Sequence, residues 1–334
     1  MKYFLFSLLV GFGCLHVVGQ DPVFSQFYNA KLQMNPAFAG TNRGPHIQLN
    51  YRNQWALLPT AYSTYQISYD QKIAERSGMG ISILNDNAGL GTIQNTGVTG
   101  FYSYTLKIKG DYSIKGGIHT GMNFVSLNAD KFIFGDGIDP SDGPFSAGGT
   151  PLPSLENISS TQEKYVQVGC GVLLYNPSMY LGISLHNLNT PRVFQDINIS
   201  SGQSGSIIPL RWNIHWGYQI ILRKGNNNQL PAFIFPNVHV IDQGSFKQVN
   251  LGSIFSLRAF HCGLWFRHTV NNSDAFIMSA GVQKDFLKMT YSFDYTISKL
   301  NISQGGSHEI GIALNFDYLF PKKVNYNDCF EIFR

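Results

Sequence analysis

The chain has 334 residues, of which 13% are charged and 14% aromatic, and its formal net charge is +4. An average soluble domain carries about 25% charged residues, so this composition is typical of a protein with much apolar surface. The small, dispersed positive charge excludes the basic face that nucleic-acid binding needs, and the 43% hydrophobic content excludes a disordered chain. A mean hydropathy of −0.07 argues against a bundle of transmembrane helices but is compatible with a barrel that has a polar lumen.

The N-terminus is typical of an export signal. Lys2 precedes an apolar run at 3–13, and the small residue Gly19 suits cleavage after that position. The run is shorter than the roughly 20 residues that a membrane-spanning helix requires. A lipoprotein signal ending at Cys14 is the alternative, although the residue three positions before it is not aliphatic. We therefore predict a cleaved signal peptide at residues 1–19 and an exported mature chain.

The next segment, residues 20–46, shows no alternation and contains several large aromatic side chains. It is too irregular for a strand and too apolar for a free tail. We predict that it forms a plug-like segment that folds into or against the periplasmic mouth of the protein. The candidate docking residues of this segment are Phe24, Phe27, Tyr28 and Phe38.

From residue 47 to residue 320, apolar and polar residues alternate in segment after segment. Such alternation predicts strands with one apolar and one polar face. Many segments are about 10 residues long, as tilted membrane strands are, and their even number is expected for a bacterial outer-membrane barrel. The segments are 47–55, 62–73, 78–86, 96–108, 112–125, 165–176, 179–187, 211–223, 231–241, 249–258, 260–270, 274–284, 287–298 and 306–320.

Two architectures bury such strands, a soluble β-sandwich and a membrane barrel. Aromatic residues toward the segment ends fit the girdles that barrels form at the bilayer interfaces. Closure also removes the sheet edges, whose backbone N–H and C=O groups would find no hydrogen-bond partner in hydrocarbon. The sequence therefore predicts an all-β protein, a closed antiparallel transmembrane β-barrel of about 14 strands in which lipid covers the apolar face.

The connections between segments separate by parity. The long ones, at about 126–164 and 188–210, are odd-numbered, whereas even-numbered connections are short and rich in Lys and Arg. This pattern predicts that the first strand starts and the last strand stops on the periplasmic side, followed by a basic periplasmic tail at 321–334. The first long connection contains Asp136, Asp139 and Asp142, but their spacing departs from a calcium-binding loop, which favours a solvated loop.

Six charged residues stand on the polar parity of the predicted strands. An Arg or Lys facing lipid at mid-depth costs about 2–4 kcal/mol, so these side chains are expected to face the lumen and pair. Two roles remain open, an ion-pair network that holds the barrel together and a lumenal docking site for a partner segment. The six residues are Arg52, Asp70, Arg258, Arg267, Asp294 and Glu309.

Motifs for catalysis and metal binding are missing from the sequence. The mature chain keeps Cys170, Cys262 and Cys329, an odd number that does not suggest a disulfide framework, and no Cys/His spacing fits a metal site. Neither G-x-S-x-G nor H-E-x-x-H occurs. We predict a protein that is not an enzyme and that uses no cofactor or metal.

Several motifs resemble one known family. The stretch "QDPVFSQFYNAKLQMNPAFAG" from Gln20 is followed in order by "YRNQW" at 51–55, "FPNVHV" at 235–240 and "SFDYTIS" at 292–298. Together they resemble the PorP/SprF family, outer-membrane proteins linked to type IX secretion and gliding motility in Bacteroidetes. The ending "NDCFEIFR" resembles the family's usual ending but runs a few residues longer.

The resemblance implies a location and a role. It implies a non-enzymatic accessory in the bacterial outer membrane that holds or helps to export a surface protein with a C-terminal sorting domain. The implied partners are that secreted protein, periplasmic secretion-scaffold subunits or both, together with outer-membrane lipid and no nucleic acid. A porin or solute channel is the alternative function for a barrel of this kind.

Overall fold

The computed structural model describes residues 20–42, 44–58, 61–89, 91–108, 110–128, 131, 161–193, 206–225, 230–270, 274–297, 305–319 and 329–333. Among these residues, no helix has the length and hydropathy of a membrane span. The predicted signal peptide and the aspartates of the first long connection lie outside the described residues.

Seventeen strands occur in the described residues, and fifteen of them join one antiparallel sheet that closes on itself. In chain order they are β1 (His46–Gln54), β2 (Tyr62–Lys72), β3 (Ser77–Ala88), β4 (Ile93–Lys107), β5 (Ser113–Leu127), β6 (Thr161–Tyr175), β7 (Met179–His186), β8 (Arg192–Val193), β9 (Ser206–Ile207), β10 (Arg211–Tyr218), β11 (Ile220–Arg223), β12 (Ala232–Gln243), β13 (Phe246–Leu257), β14 (Phe260–Thr269), β15 (Ala275–Lys284), β16 (Leu287–Thr296) and β17 (Ser307–Asn315).

The wall of the barrel has fourteen strands in the described part of the chain. β10 and β11 act as one wall strand, because both pair with β12 and only Gln219 separates them. β8 and β9 pair with each other outside the wall. Pairing of β1 with β17 closes the sheet and sets Arg52 opposite Glu309. The predicted closed antiparallel barrel is thus confirmed.

Alternation along each strand separates a lipid face from a lumen face. In β5, for example, Ile118 and Met122 are exposed on the outside, whereas His119 and Asn123 between and beyond them are buried inside. Apolar side chains at every second position are what hydrocarbon requires, and polar ones are accepted only on the enclosed side. The outward face of the wall is accordingly a continuous apolar surface.

The last strand ends earlier than the alternation predicts. β17 stops at Asn315, and Asp317–Leu319 form a 3₁₀ turn, so the expected strand to residue 320 is wrong at its end. The Asp317 carboxylate accepts the Gly44 N–H at 2.7 Å, and the Phe316 N–H donates to the Pro45 carbonyl. These bonds turn the chain out of the sheet where β1 begins.

The barrel has two unlike ends. The long-connection end carries connections 55–61, 89–92, 128–160, 187–210, 244–245, 270–274 and 297–306, whereas the short-connection end carries 73–76, 108–112, 176–178, 224–231, 258–259 and 285–286. Strands β5 and β6 extend into the predicted loop at 126–164, so that connection spans 128–160. Most of it lies outside the described residues.

Residues 20–42 and 44–45 run through the lumen from one end to the other; we name them the N-terminal segment. At the long-connection end, the Asp21 carboxylate accepts from Asn187 and Gln243. At the short-connection end, Gly44 meets Asp317 and the chain enters β1. The segment contains the short helix α1 (Lys31–Met34) and a 3₁₀ turn at Pro36–Phe38, which the Asn35 side chain caps by accepting the Ala37 N–H.

The hydrophobic core of the protein lies inside the barrel. It joins apolar residues of the N-terminal segment to lumen-facing wall residues such as Leu173, Phe235 and Trp265. We name residues Cys329–Phe333 the C-terminal pentapeptide. Its four apolar residues belong to the same cluster, and Glu331 is buried beside them. The lumen is therefore occupied by packed protein.

Candidate functional site

The wall charges nearest the long-connection end form one compact cluster. Arg52 of β1 donates to Asp294 of β16 at 2.9 Å and to Glu309 of β17 at 3.1 Å. Arg267 of β14 reaches the same Asp294 oxygen at 2.8 Å. All four side chains are at least nine-tenths buried, and two cations balance two carboxylates. Buried charges are tolerated when each is paired with an opposite charge, as it is here.

This cluster grips the backbone of the N-terminal segment. Glu309 accepts the Ser25 N–H at 2.7 Å and the Gln26 N–H at 3.0 Å. The Ser25 hydroxyl donates to Asp294 at 2.6 Å and accepts from Arg267 and Arg52. The wall charges thus pair with one another and hold two consecutive residues of the lumenal segment in place.

A second ion pair holds the segment near the short-connection end. Asp70 of β2 pairs with Lys31 of α1 at 3.0 Å and lies 3.3 Å from the Nδ1 atom of His46. Its other oxygen accepts the Gly40 N–H at 2.9 Å. Asp70 therefore faces the lumen but joins Lys31 rather than the Arg52 cluster.

Arg258 is a correction to the predicted set. It lies in the two-residue connection between β13 and β14, is exposed, and has a φ of +56°. That left-handed conformation belongs to the tight turn and not to a membrane-spanning strand. The alternation ends one residue earlier, at Leu257, so the parity argument placed Arg258 in the lumen wrongly.

The four candidate aromatic residues of the N-terminal segment are all buried in the lumen. Phe24, Phe27, Tyr28 and Phe38 are exposed by 1%, 4%, 1% and 0%. Tyr28 stacks on Trp265 of β14 with ring centroids 5.5 Å apart, and Phe27 packs on the His239 ring at 4.9 Å. These contacts lie within the chain itself, so the four residues anchor the segment to the wall.

The absence of a side chain at one wall position makes room for the N-terminal segment where it lies closest to the wall. A side chain at Gly117 of β5 would collide with the backbone of Pro36 and Ala37, whereas one at the neighbouring Gly116 would meet nothing within 4 Å. Gly117 faces the lumen and Gly116 lies on the outward parity. Glycine at 117 thus lets the 3₁₀ turn lie directly against the wall.

A polar cavity opens above the charge cluster at the long-connection end. It has a volume of about 330 Å³ and lies between Asp21 and the wall residues Arg52, Asp86 and Gln248. Three buried atoms on these and neighbouring side chains have no hydrogen-bond partner among the described residues: Arg52 Nε, Gln248 Nε2 and Asp294 Oδ1. Buried donors and an acceptor without partners in the described chain thus lie beside the cavity. We name this cavity the vestibule.

One family is shown by comparison of the sequence. A family model described as "Type IX secretion system membrane protein PorP/SprF" matches residues 17–314. The chain belongs to the PorP/SprF family. The PorP/SprF barrel is thus an outer-membrane component of the type IX secretion system, and the resemblance found from the motifs is confirmed. No curated protein sequence matches the chain.

Solved structures similar to this PorP/SprF barrel share little sequence with it. A FadL homologue of Pseudomonas aeruginosa aligns with a TM-score of 0.43 and 12% identity, over 84% of this chain and 93% of that one. The toluene transporter TbuX of Ralstonia pickettii gives 0.47 and 10%, over 85% and 92%. The outer membrane protein Omp33 of Acinetobacter baumannii gives 0.44 and 8%, over 83% and 100%.

Some residues that hold the lumen of this PorP/SprF barrel together were missed in the sequence. Ser25 and Gln26 combine backbone N–H groups, which leave no signature in the sequence, with side-chain hydrogen bonds to Asp294 and Ser292. Neutral polar side chains outside a predicted strand carry no parity signal either. The Lys115 ammonium group donates a hydrogen bond to the Ala39 carbonyl, and that of Lys288 donates one to the Ile332 carbonyl. The two lysines stand on the polar parity of β5 and β16, and the rule that placed Arg52 in the lumen would have found them.

Proposed function

We propose that this barrel holds, or helps to export, a surface protein with a C-terminal sorting domain, as a non-enzymatic accessory of type IX secretion and gliding. Membership of the PorP/SprF family supports the link to the secretion machinery. The observation that carries the narrower role is the filled lumen: an ordered segment of the chain crosses it from end to end.

A filled lumen favours a holding role over solute transport. A second cavity inside the lumen, between Leu32, Gln33 and the wall, has a volume of only about 70 Å³. Such a space accommodates a few water molecules and no larger solute. The segment is held at two heights, by hydrogen bonds from Ser25 and Gln26 to the buried Glu309 and by the Lys31–Asp70 ion pair. Breaking a buried ion pair costs about 3–5 kcal/mol. A barrel filled in this way is a rigid platform.

The long-connection end supports the contact with the secreted partner. The vestibule opens there, and both long connections, 128–160 and 187–210, leave the wall at the same end. Loops on a rigid scaffold commonly carry recognition. The partner accordingly contacts the long connections and inserts a polar segment into the vestibule, while the scaffold subunits meet the short-connection end.

Purification from native membranes tests the proposal. Tagged protein is extracted in mild detergent, and the attached proteins are identified by mass spectrometry. We expect a sorting-domain protein, periplasmic scaffold subunits or both. Replacing 132–160 by a short Gly-Ser linker should abolish capture of the sorting-domain protein, whereas replacing 226–229 at the opposite end should leave it intact.

The solute-channel alternative is decided by conductance in planar bilayers. The intact barrel should show a conductance close to that of the empty bilayer. A steady open channel, together with a partner-free barrel from native membranes, would reject the holding role in favour of a porin.

A further inference from the structure

The short-connection mouth contains a socket made by residues of the wall and of the N-terminal segment. Its apolar part is formed by Phe38, Tyr175 and Tyr180, and its polar part by Lys288 and the Asn176 carbonyl. The C-terminal pentapeptide occupies this socket. Cys329 and Phe333 at its two ends are each exposed by only 1%.

Two aromatic side chains of the pentapeptide fill the apolar part. The Phe333 ring lies 4.7 Å from the Phe38 ring and 5.5 Å from the Tyr180 ring, measured between centroids. The Phe330 ring lies 4.8 Å from that of Tyr175. Because Phe330 and Phe333 are three residues apart in one 3₁₀ turn, both rings point to the same aromatic surface.

Polar contacts at both ends of the pentapeptide fix its orientation in the socket. Lys288 donates to the Ile332 carbonyl and interacts electrostatically with the buried Glu331 carboxylate. The Cys329 thiol donates to the Asn176 carbonyl at 3.1 Å. Glu331 is itself buried, so the positive charge of Lys288 favours an acidic residue between the two aromatic ones.

The barrel is complete without this peptide. β1 and β17 close the wall, and within the described chain no residue of the pentapeptide pairs with a strand. Its turn is held by its own Phe333 N–H to Phe330 carbonyl bond. Burial of four apolar side chains is opposed by the ordering of five residues, and the two contributions are of similar size. Such a balance permits exchange, whereas the longer N-terminal segment is held by the buried Lys31–Asp70 ion pair and by hydrogen bonds to the buried Asp294 and Glu309 carboxylates.

We propose that the socket is an exchangeable peptide-binding site and that the C-terminal pentapeptide is its resting ligand. The site takes peptides with two aromatic residues three positions apart, an acidic residue after the first and an aliphatic residue before the second. It is separate from the vestibule, at the other end of the lumen, and does not depend on the proposed function.

Competition on the full-length protein tests exchange. Cys329 is the reporter in a barrel that carries Cys170→Ser and Cys262→Ser, and its reaction with a maleimide is followed by mass spectrometry. Folded protein should react far more slowly than unfolded protein. An excess of the peptide amide Ser-Phe-Glu-Ile-Phe should accelerate the reaction, because it occupies the socket whenever the tail leaves. A rate that excess peptide does not change would overturn the proposal.

Direct binding provides the second measurement. The barrel truncated after residue 328 should bind fluorescein-labelled Cys-Phe-Glu-Ile-Phe amide saturably, and the full-length barrel should bind it much less. A peptide with Phe330→Ala and Phe333→Ala should bind at least about tenfold more weakly. Phe38→Ala in the truncated barrel should weaken binding, whereas Phe276→Ala on the lipid face should not. Failure of a folded truncated barrel to bind the peptide contradicts the proposal.

Discussion

At the scale of single residues, Glu309 joins the wall to the lumenal segment. Its carboxylate pairs with Arg52 and accepts the N–H groups of Ser25 and Gln26. A buried carboxylate that accepts several hydrogen bonds stabilises the fold. Each buried N–H donor has lost its hydrogen bond to water, and the carboxylate replaces that bond. The residue is fully enclosed, with an exposed fraction of 0%.

Glu309→Gln should lower the free energy of unfolding by about 3–5 kcal/mol, because Arg52 then keeps its charge in a buried site with one carboxylate fewer. The measurement is urea unfolding of the detergent-solubilised or lipid-embedded barrel. Arg258→Gln is the matched control, since that exposed residue of a turn should give no measurable change. Equal effects of the two substitutions would mean that the cluster does not stabilise the barrel.

The same cluster predicts a coupling. Arg52→Met and Glu309→Leu together should destabilise the barrel by less than the sum of the two single changes, by about 0.5–3 kcal/mol. The reason is that removing both partners leaves no unpaired charge between them. Additive effects would show that the two side chains act independently, despite their distance of 3.1 Å.

Gly117 and Gly116 offer a matched pair of substitutions. Gly117→Ala places a methyl group against the Pro36–Ala37 backbone and should displace the N-terminal segment, whereas Gly116→Ala points into open space. Trypsin cleavage after Lys31 reports the displacement, because Lys31 is completely buried in the native barrel. Cleavage should increase only in Gly117→Ala. Equal resistance of both variants to trypsin would show that the wall moves to accommodate the methyl group and that the segment stays in place.

At the scale of strands, the lipid face could be predicted well from the sequence. Hydrocarbon favours apolar side chains there, so Ile118, Met122 and Phe124 all fall on the outward parity of β5, which Thr120 shares. The end of β17 could not be predicted, because apolar residues continue the alternation past Asn315. Hydrogen bonds from distant residues end the strand.

The lumen was less predictable than the lipid face. A charge on the polar parity indicates that a side chain faces inward, and this placed Arg52, Arg267, Asp294 and Glu309 correctly. The parity does not predict which inward charges pair, because pairing depends on the order of the strands and on the position of each residue along its strand. Asp70, for example, pairs with Lys31 of the N-terminal segment and not with the Arg52 cluster. Contacts made by backbone atoms, such as those of Ser25, leave no trace in residue type.

The lipid band also has a limited height, which one pair of substitutions tests. Ile83, in the middle of β3, and Leu57, in connection 55–61, are both exposed apolar residues. Ile83→Arg should cost about 2–4 kcal/mol because it places a charge in hydrocarbon, whereas Leu57→Arg should cost about 0–1 kcal/mol near the interface. Unfolding from phospholipid vesicles measures both. Similar costs would place the band elsewhere on the wall.

At the scale of the whole molecule, the barrel consists of a wall and an internal core contributed by the two ends of the chain. Fourteen strands enclose more space than wall side chains alone fill, as larger barrels do. The N-terminal segment brings Phe27, Tyr28 and Phe38 into that space, and the C-terminal pentapeptide closes the short-connection mouth. Wall and core therefore have separate roles, enclosure and occlusion.

Removal of residues 21–42 separates these roles. The wall should still form, because β1–β17 pairing needs none of these residues, but its stability should fall as Asp70 loses Lys31 and Trp265 loses Tyr28. Water then replaces the segment in the polar parts of the lumen, and ions gain a continuous path. Planar-bilayer recordings should show discrete conductance steps in the deletion variant and none in the parent. Circular dichroism and heat-modifiable migration establish that the variant retains its strands. A folded variant that remains non-conducting would mean that the wall itself closes the lumen, and the N-terminal segment would then be an anchor for the strands and not the obstruction.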